Sequence, residues 1–331
     1  MKRALLDILA CPVCHGEIQL PEPHSDGEIL EGKLVCVGCG KKFPIREGIP
    51  QLMVNFKEAS TAERFGYEWK NFPELSPVYE MQFLDWIRPI SKSFFREKVI
   101  LDAGCGKGRH LRIASRFGAK MVVGIDASEA VGVAYANTKD LPNVHVIQGD
   151  IYHPPLRRSC DYIYSIGVLH HLSQPDQGFE RLSSLLKPRG TISVWVYGKE
   201  GNGWIIYLVN PLRKFITSKM PLPVLERFSY PIALFLHLLC KFIYRPLNLH
   251  LKPLRRFLFY NDYLFYISNF NLREIHSIVF DHLLAPVAFY LSKDEVVKWF
   301  ENAGLVDVHV EWHNRNSWRA NGRLAQGVTR S

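Results

Sequence analysis

The chain has no uninterrupted apolar run of the roughly 18 residues that a membrane span requires. Its nearest approach, Pro231 to Tyr244, is broken by His237 and Lys241. A secretory leader is also missing, because Met1 to Cys11 holds Lys2, Arg3 and Asp7 among short apolar runs only. Both absences lead to the expectation of a cytoplasmic protein, peripheral to the inner membrane face if it meets a membrane. Cysteine is sparse and odd in number: of seven, four sit in two Cys-x-x-Cys pairs, which fits metal binding under reducing conditions better than a disulfide framework. Acidic residues are outnumbered, 32 against 41 Lys and Arg, leaving a net charge of +9. Such an excess suits an acidic partner (phosphate, nucleic acid or anionic lipid) or is simply solvated surface. What the chain does have is length and apolar content: 331 residues at 47% hydrophobic are enough for two or three packed units.

The two cysteine pairs, Cys11-Pro-Val-Cys14 and Cys36-Val-Gly-Cys39, are separated by 21 residues. That distance allows a hairpin to bring two thiolate knuckles around one tetrahedral Zn²⁺, with Gly38 and Gly40 turning the second knuckle. A redox dithiol is the competing reading, and His15 is a fifth donor that a four-sulfur site does not need. A unit this small, with few aliphatics, needs a metal to fold. Leu9 to Cys14 together with Cys36-Val-Gly-Cys-Gly-Lys-Lys-Phe-Pro-Ile-Arg-Glu-Gly-Ile-Pro-Gln-Leu-Met53 resembles the Trm112-like zinc-ribbon family. The resemblance implies a small domain that accompanies methyltransferases, with structural zinc held by Cys11, Cys14, Cys36 and Cys39.

Absences also narrow the nucleotide that the middle of the chain takes. Val99 to Asp102 reads as a buried strand, and Gly104, Gly106 and Gly108 turn it into a helix beginning near Lys107, the form of a nucleotide-cradling turn. The dinucleotide fingerprint lacks its third glycine, since position 109 is Arg109, and a Walker A loop lacks its Ser or Thr, since Gly108 follows Lys107. Strand and helix patterns then alternate through Lys120–Asp126, Glu129–Thr138, Val144–Asp150, Asp161–Ile166, Gln177–Leu186 and Gly190–Tyr197. Such alternation argues for an α/β fold, a Rossmann-like doubly wound and mostly parallel sheet with its ligand beyond the carboxyl ends of the strands.

Asp102-x-Gly-x-Gly-x-Gly108 resembles motif I of class I S-adenosylmethionine-dependent methyltransferases, and Ser165 to Leu172 resembles the fourth motif of their small-molecule branch. The resemblance implies S-adenosylmethionine as cofactor. Gly104, Gly106 and Gly108 would admit it and Asp102 would brace the loop. Asp126 would accept the ribose hydroxyls, Asp150 would meet the adenine amine and Ile151 its ring face, with Ala127 and Ile166 completing the site. From the residues alone, Asp126 and Asp150 are equally helix caps.

Methyl transfer is an in-line displacement that depends mostly on positioning and water exclusion. An oxygen or carbon acceptor also needs a base; His170 and His171, after the fourth core strand, are the candidates, with His282 a second site. No Asn-Pro-Pro-Tyr or Asp-Pro-Pro-Tyr follows that strand, which argues against methylation of exocyclic amines. Residues 201–280 carry ten Lys and Arg against three acids, a net of +7, among aromatic and aliphatic runs broken by prolines. Short helices of this kind suit a substrate lid or homodimer interface, an anionic membrane surface, or an RNA groove.

The expected organisation is a zinc ribbon (1–56), a helical cap (57–98), an S-adenosylmethionine-binding core (99–200), a basic aromatic insertion (201–290) and a closing helix with strands (291–331). The expected function is methyl transfer to oxygen, or carbon, of a small-molecule, glycan or lipid-linked acceptor. The alternatives are a tRNA or rRNA methyltransferase and a non-catalytic protein-interaction module.

Overall fold

Short runs of Val, Ile and Leu that are buried on both faces, as in Ile100-Leu101 and Val122-Val123, require covering on two sides, and parallel pairing with crossover helices supplies it. The computed structural model describes residues 1–21, 27–54 and 59–326. The expected boundary at Phe56 lies outside the described residues. The core strands are β5 (Val99–Ala103), β6 (Met121–Asp126), β7 (Val144–Gly149), β8 (Cys160–Ile166) and β9 (Leu186–Tyr197). Four ribbon strands precede them, β1 (Ile18–Gln19), β2 (Gly32–Cys36), β3 (Lys42–Arg46) and β4 (Ile49–Leu52), and two follow, β10 (Leu305–His313) and β11 (Ser317–Leu324).

All pair in one sheet of order β1-β2-β3-β4-β7-β6-β5-β8-β9-β11-β10. β5 to β9 are parallel, and β11 inserts antiparallel between β9 and β10. The strand order reverses between β5 and β8, the switch point where open α/β sheets bind ligands.

The ribbon is continuous with the core. β4 pairs parallel with β7, Gln51 opposite Gln148 and Leu52 opposite Gly149, and one apolar cluster extends from Leu5, Leu9 and Leu34 through Ile125 and Ile147 to Phe179 and Phe300. So small a unit thereby gains apolar burial that its own few aliphatics cannot supply.

Helices α1 (Ala59–Asn71) and α2 (Val78–Trp86) precede the core, while α3 (Arg109–Arg116), α4 (Ala130–Thr138) and α5 (Pro175–Ser184) cross between its strands. The insertion holds α6 (Asn210–Phe215), α7 (Leu222–Leu239), α8 (Arg245–His250), α9 (Asn261–Ile267) and α10 (Leu272–Leu284). α11 (Lys293–Asn302) opens on a capping box: Ser292 Oγ accepts from Glu295 N, and the Glu295 carboxylate accepts from Ser292 N at 2.7 Å. Gly304, at φ +59°, ends the approach to β10.

The prolines do not chop the insertion as its sequence suggests. Leu222 to His250 is one helical run of 29 residues. Pro223 and Pro246 sit in first turns, where no amide donor is required, and a π turn over Cys240–Tyr244 leads into Pro246. By length and composition this run is long and apolar enough to cross a membrane, which the interrupted pattern of its sequence had concealed.

Candidate active site

At the ribbon tip the four cysteine sulfurs lie within 4.8 Å of one another, with Cys14 and Cys36 at 3.4 Å and Cys11 and Cys39 at 3.7 Å. Backbone amides point into the cluster, Val13 N toward Cys11 Sγ and Cys39 N toward Cys36 Sγ. The Cys39 amide pulls the Cys36 thiol down to about 7, toward the thiolate a metal takes. A Cβ on Gly16 would stand 3.2 Å from two of the sulfurs, so the loop closes on the cluster only with glycine there. His15 lies outside the four-residue group.

A cavity of about 230 Å³ opens at the carboxyl ends of β5, β6 and β8. Its first half is the glycine turn. Gly104, Gly106 and Gly108 have φ of +84°, +49° and +79°, the left-handed region that other residues enter only with strain. A Cβ on Gly104 would lie 2.3 Å from Val168, and one on Gly106 2.9 Å from Trp69 Nε1. Asp126 ends β6 and accepts from Gly106 N at 2.8 Å and Ser128 N at 2.9 Å. It therefore braces the loop while lining the cavity. Asp150 accepts from Tyr152 N at 3.0 Å and meets His153 Nδ1 at 3.2 Å.

Gly104, Gly106, Asp126, Ala127, Asp150, Ile151 and Ile166 all line the cavity. Asp102 and Gly108 stand behind it. Asp102 is buried with Oδ2 unpartnered, and burial raises its pKa well above the usual carboxylate range. A Cβ on Gly108 would lie 3.0 Å from the Cα of Ala134, so glycine there lets the turn pack closely on α4.

The second half is assembled from distant elements: α1, α2, α9, α10 and the loop before β11. From α1, Phe65 and Trp69 reach the cavity whereas Tyr67 turns away to donate to Glu226 at 2.8 Å. Tyr266 and Tyr290 also line this half, with both hydroxyls unpartnered. Three carboxylates line it, Glu68, Asp281 and Glu274, the last accepting from Tyr79 Oη. Glu68 accepts from Ser277 Oγ at 2.8 Å, its Oε2 is unpartnered, and burial followed by the charge of Asp281 raises its pKa well above the usual range. Asp281 accepts from Tyr197 Oη at 3.2 Å, and burial raises it to about 6.

Of the three histidines singled out by sequence, His171 and His282 line the cavity and His170 does not. The His170 ring packs 3.9 Å from that of Tyr197, is fully buried, and has neither nitrogen hydrogen-bonded. His171 Nδ1 is 2.7 Å from Val287 O, which assigns the proton to Nδ1 and leaves Nε2 an acceptor. Burial lowers His171 to about 3 and His282 to about 4, so both are neutral and weakly basic near pH 7.

Asp281, Asn314 and Asn316 line the cavity as well. Sequence reasoning missed Glu68. The available signal was an acid three residues after Phe65, beside the face that Phe65 and Trp69 define at i and i+4.

Comparison with known proteins bears on both halves of the chain. Residues 101–194 match the family described as a methyltransferase domain, and residues 2–48 match the family described as Trm112p-like protein. The tRNA U34 carboxymethyltransferase of Pseudoalteromonas atlantica is 30% identical over 125 residues, 36% of this chain and 38% of that protein. The trans-aconitate 2-methyltransferase of Deinococcus radiodurans is 34% identical over 122 residues, 37% and 43% of the two chains. Among solved structures, phosphoethanolamine N-methyltransferase 2 of Haemonchus contortus, in complex with S-adenosyl-L-methionine, has a TM-score of 0.47 at 16% identity, covering 86% of this chain and 62% of that one. The chain spans less than half the length of the two sequence relatives.

Strand order, glycine turn and family match define a class I S-adenosylmethionine-dependent methyltransferase domain. This chain joins that domain to a Trm112p-like N-terminal region. The expectation of a small-molecule, glycan or lipid-linked acceptor is corrected by the relatives' names, among which tRNA U34 carboxymethyltransferase recurs. The fourth-motif likeness that suggested a small molecule lies in the core, whereas the acceptor half of the cavity is built outside it.

Proposed function

We propose that the chain transfers a one-carbon group from S-adenosylmethionine to a nucleotide of tRNA. The observation that carries this reading is the lining of the cavity: a glycine turn leads into a cleft walled by Trp195, Tyr266 and Tyr290, with Glu68 and Asp281 facing in. Aromatic walls with a few polar groups suit a base taken out of its stack and read along its edge. The recurring tRNA name among the relatives supports the same substrate class. A second reading, a non-catalytic interaction module, has no observation in its favour.

The donor fits the residues present. Gly104 and Gly106 let the turn sit against Val168 and Trp69, where a Cβ would clash, Asp126 and Asp150 present carboxylates at the ends of β6 and β7, and Ile151 and Ile166 supply apolar surface. In this reading Asp126 holds the ribose hydroxyls, Asp150 the adenine amine and Ile151 its face, with Ala127 and Ile166 beside them. Asp102 and Gly108 shape the loop from behind. When bound, S-adenosylmethionine supplies an electrophilic carbon on a sulfonium. The chain orients the acceptor and removes its proton. Asp281, raised to about 6, is mostly ionised near neutral pH yet more basic than an ordinary carboxylate, and so is better matched as a base than His171 or His282. His170, away from the cavity, holds Tyr197 in place. At the ribbon, Cys11, Cys14, Cys36 and Cys39 hold structural Zn²⁺, which fixes the hairpin that ends in β4.

The test is incubation of the protein with labelled donor and either tRNA or an RNA-free extract of metabolites and lipids. Label is expected in tRNA nucleosides, where mass spectrometry identifies it as a methyl group. Label confined to the RNA-free fraction overturns the reading.

A further inference from the structure

The long helical run of the insertion has two apolar faces and only one of them is packed. Leu225, Ser229, Ala233, Cys240 and Tyr244 are buried. The α7 part of this face packs on α10, where Ser229 Oγ stands 3.0 Å from His276 Nε2, and the Cys240–Tyr244 turn packs on α9. The other face repeats every three to four residues as Val224, Phe228, Pro231, Phe235, Leu238 and Phe242, all exposed. Phe235 and Phe242 are 68% and 66% exposed, and only 22% of the most apolar window of the run is buried. The neighbouring elements repeat the pattern, with Tyr207, Leu208 and Phe215 exposed before the run and Leu254, Phe257 and Phe259 after it. An unpartnered apolar surface of this extent marks a contact that a soluble monomer does not satisfy.

The charges around it are of one sign. Between residues 203 and 261 the exposed ionised side chains are eight Lys and Arg: Lys214, Lys219, Arg227, Lys241, Arg245, Lys252, Arg255 and Arg256. The sole acid of that segment, Glu226, is half-buried and accepts from Tyr67. Arg227, Lys241 and Arg245 recur along the same helical run as the phenylalanines.

From this juxtaposition we infer that residues 204–259 form a docking surface for an anionic phospholipid bilayer, with the phenylalanine face sunk to the level of the acyl-chain boundary and the cations at the headgroups. Three alternatives fit less well. A second copy would bring two sets of eight cations together across a two-fold interface. An RNA backbone gains from the cations but nothing from Val224, Ile232, Leu234 and Leu238. A membrane crossing would strip the packed face from α10, which carries Asp281 and His282 of the cavity, so the run lies in the plane of the surface. This surface is separate from the acceptor question and does not depend on the tRNA reading.

The test is co-sedimentation of the full chain with vesicles of phosphatidylcholine, with and without phosphatidylglycerol. Binding is expected to the anionic vesicles, weakening as salt rises. The triple variant Phe228→Ser, Phe235→Ser, Phe242→Ser is expected to lose about a hundredfold in partitioning. Its affinity for S-adenosylmethionine should stay within about twofold, showing that the fold is intact. Arg227→Gln, Lys241→Gln, Arg245→Gln is expected to abolish the preference for anionic lipid and leave the weaker neutral partitioning. Three results overturn the inference: no partitioning of the wild type at low salt, binding that the phenylalanine triple leaves unchanged, or tRNA that displaces vesicles and binds the phenylalanine triple less well. A wild-type dimer that the phenylalanine triple converts to a monomer without vesicles also overturns it, in favour of a second copy.

Discussion

The two halves of the cavity are built on different principles. The donor half comes from consecutive segments, the turn after β5 and the ends of β6, β7 and β8, and its contacts are mostly backbone: glycines that admit a ligand and carboxylates that hold amides. The acceptor half gathers Glu68 from α1, Asp281 from α10 and Tyr290 from the segment after it, and four of its polar atoms, on Glu68, Gln82, Tyr266 and Tyr290, are unpartnered. A site made of backbone turns tolerates little change at glycine positions. A site made of loose side chains is where one fold acquires different acceptors.

The largest expected effect tests the donor half. Gly104→Ala places a Cβ against Val168 at a left-handed φ, and is expected to weaken S-adenosylmethionine binding about a thousandfold by calorimetry. A loss under tenfold would show that the turn yields and the contrast is overstated. Next is Asp281→Asn, expected to lower turnover about a hundredfold while donor affinity changes less than about twofold. In the wild type the rate should rise with pH through about 6 as Asp281 loses its proton, and the variant should lack that inflection. Stability carries the opposite sign. A carboxyl whose pKa is raised in the fold binds its proton more tightly there, so stability falls as pH rises through the window up to about 6, and Asp281→Asn should flatten that fall.

A smaller effect is expected at Asp126→Ala, about thirtyfold in donor binding, because Gly106 N and Ser128 N lose their acceptor along with the ribose. At the ribbon, chelation or Cys36→Ser should lower the melting temperature by about 10 °C and loosen β4 from β7 in hydrogen exchange, with no change in the pH profile. Smallest is His170→Gln, expected to alter turnover less than about threefold, since no nitrogen of that ring reaches the cavity or a partner. A hundredfold loss there would move the base back to the histidine pair.

The same contrast explains what was legible in the sequence. Gly104 to Gly108, Asp126 and Asp150 lie at strand ends that periodicity locates, and the four cysteines identify their own cluster. These depend on local chain, and the sheet placed them as expected. Glu68 and the base role of Asp281 were not legible, because they meet only when α1 and α10 pack across more than two hundred residues of chain. His170 and His171 are adjacent, yet a short 3-10 turn buries one ring behind Tyr197 and turns the other to the cavity, a difference no spacing reveals. The union of β4 with β7, and the helix that survives Pro231, were concealed for the same reason. Each is decided by what packs against it rather than by its own residues.

The central claim is that one cavity holds the donor on the core and a tRNA nucleotide on the side-chain chamber. Its most direct measurement is transfer of label from S-adenosylmethionine to tRNA by the wild type and by Asp281→Asn, at matched donor occupancy. The account requires label in a tRNA nucleoside with the wild type and about a hundredfold slower transfer with the variant. Equal transfer by both proteins, or label that never enters tRNA, would contradict it.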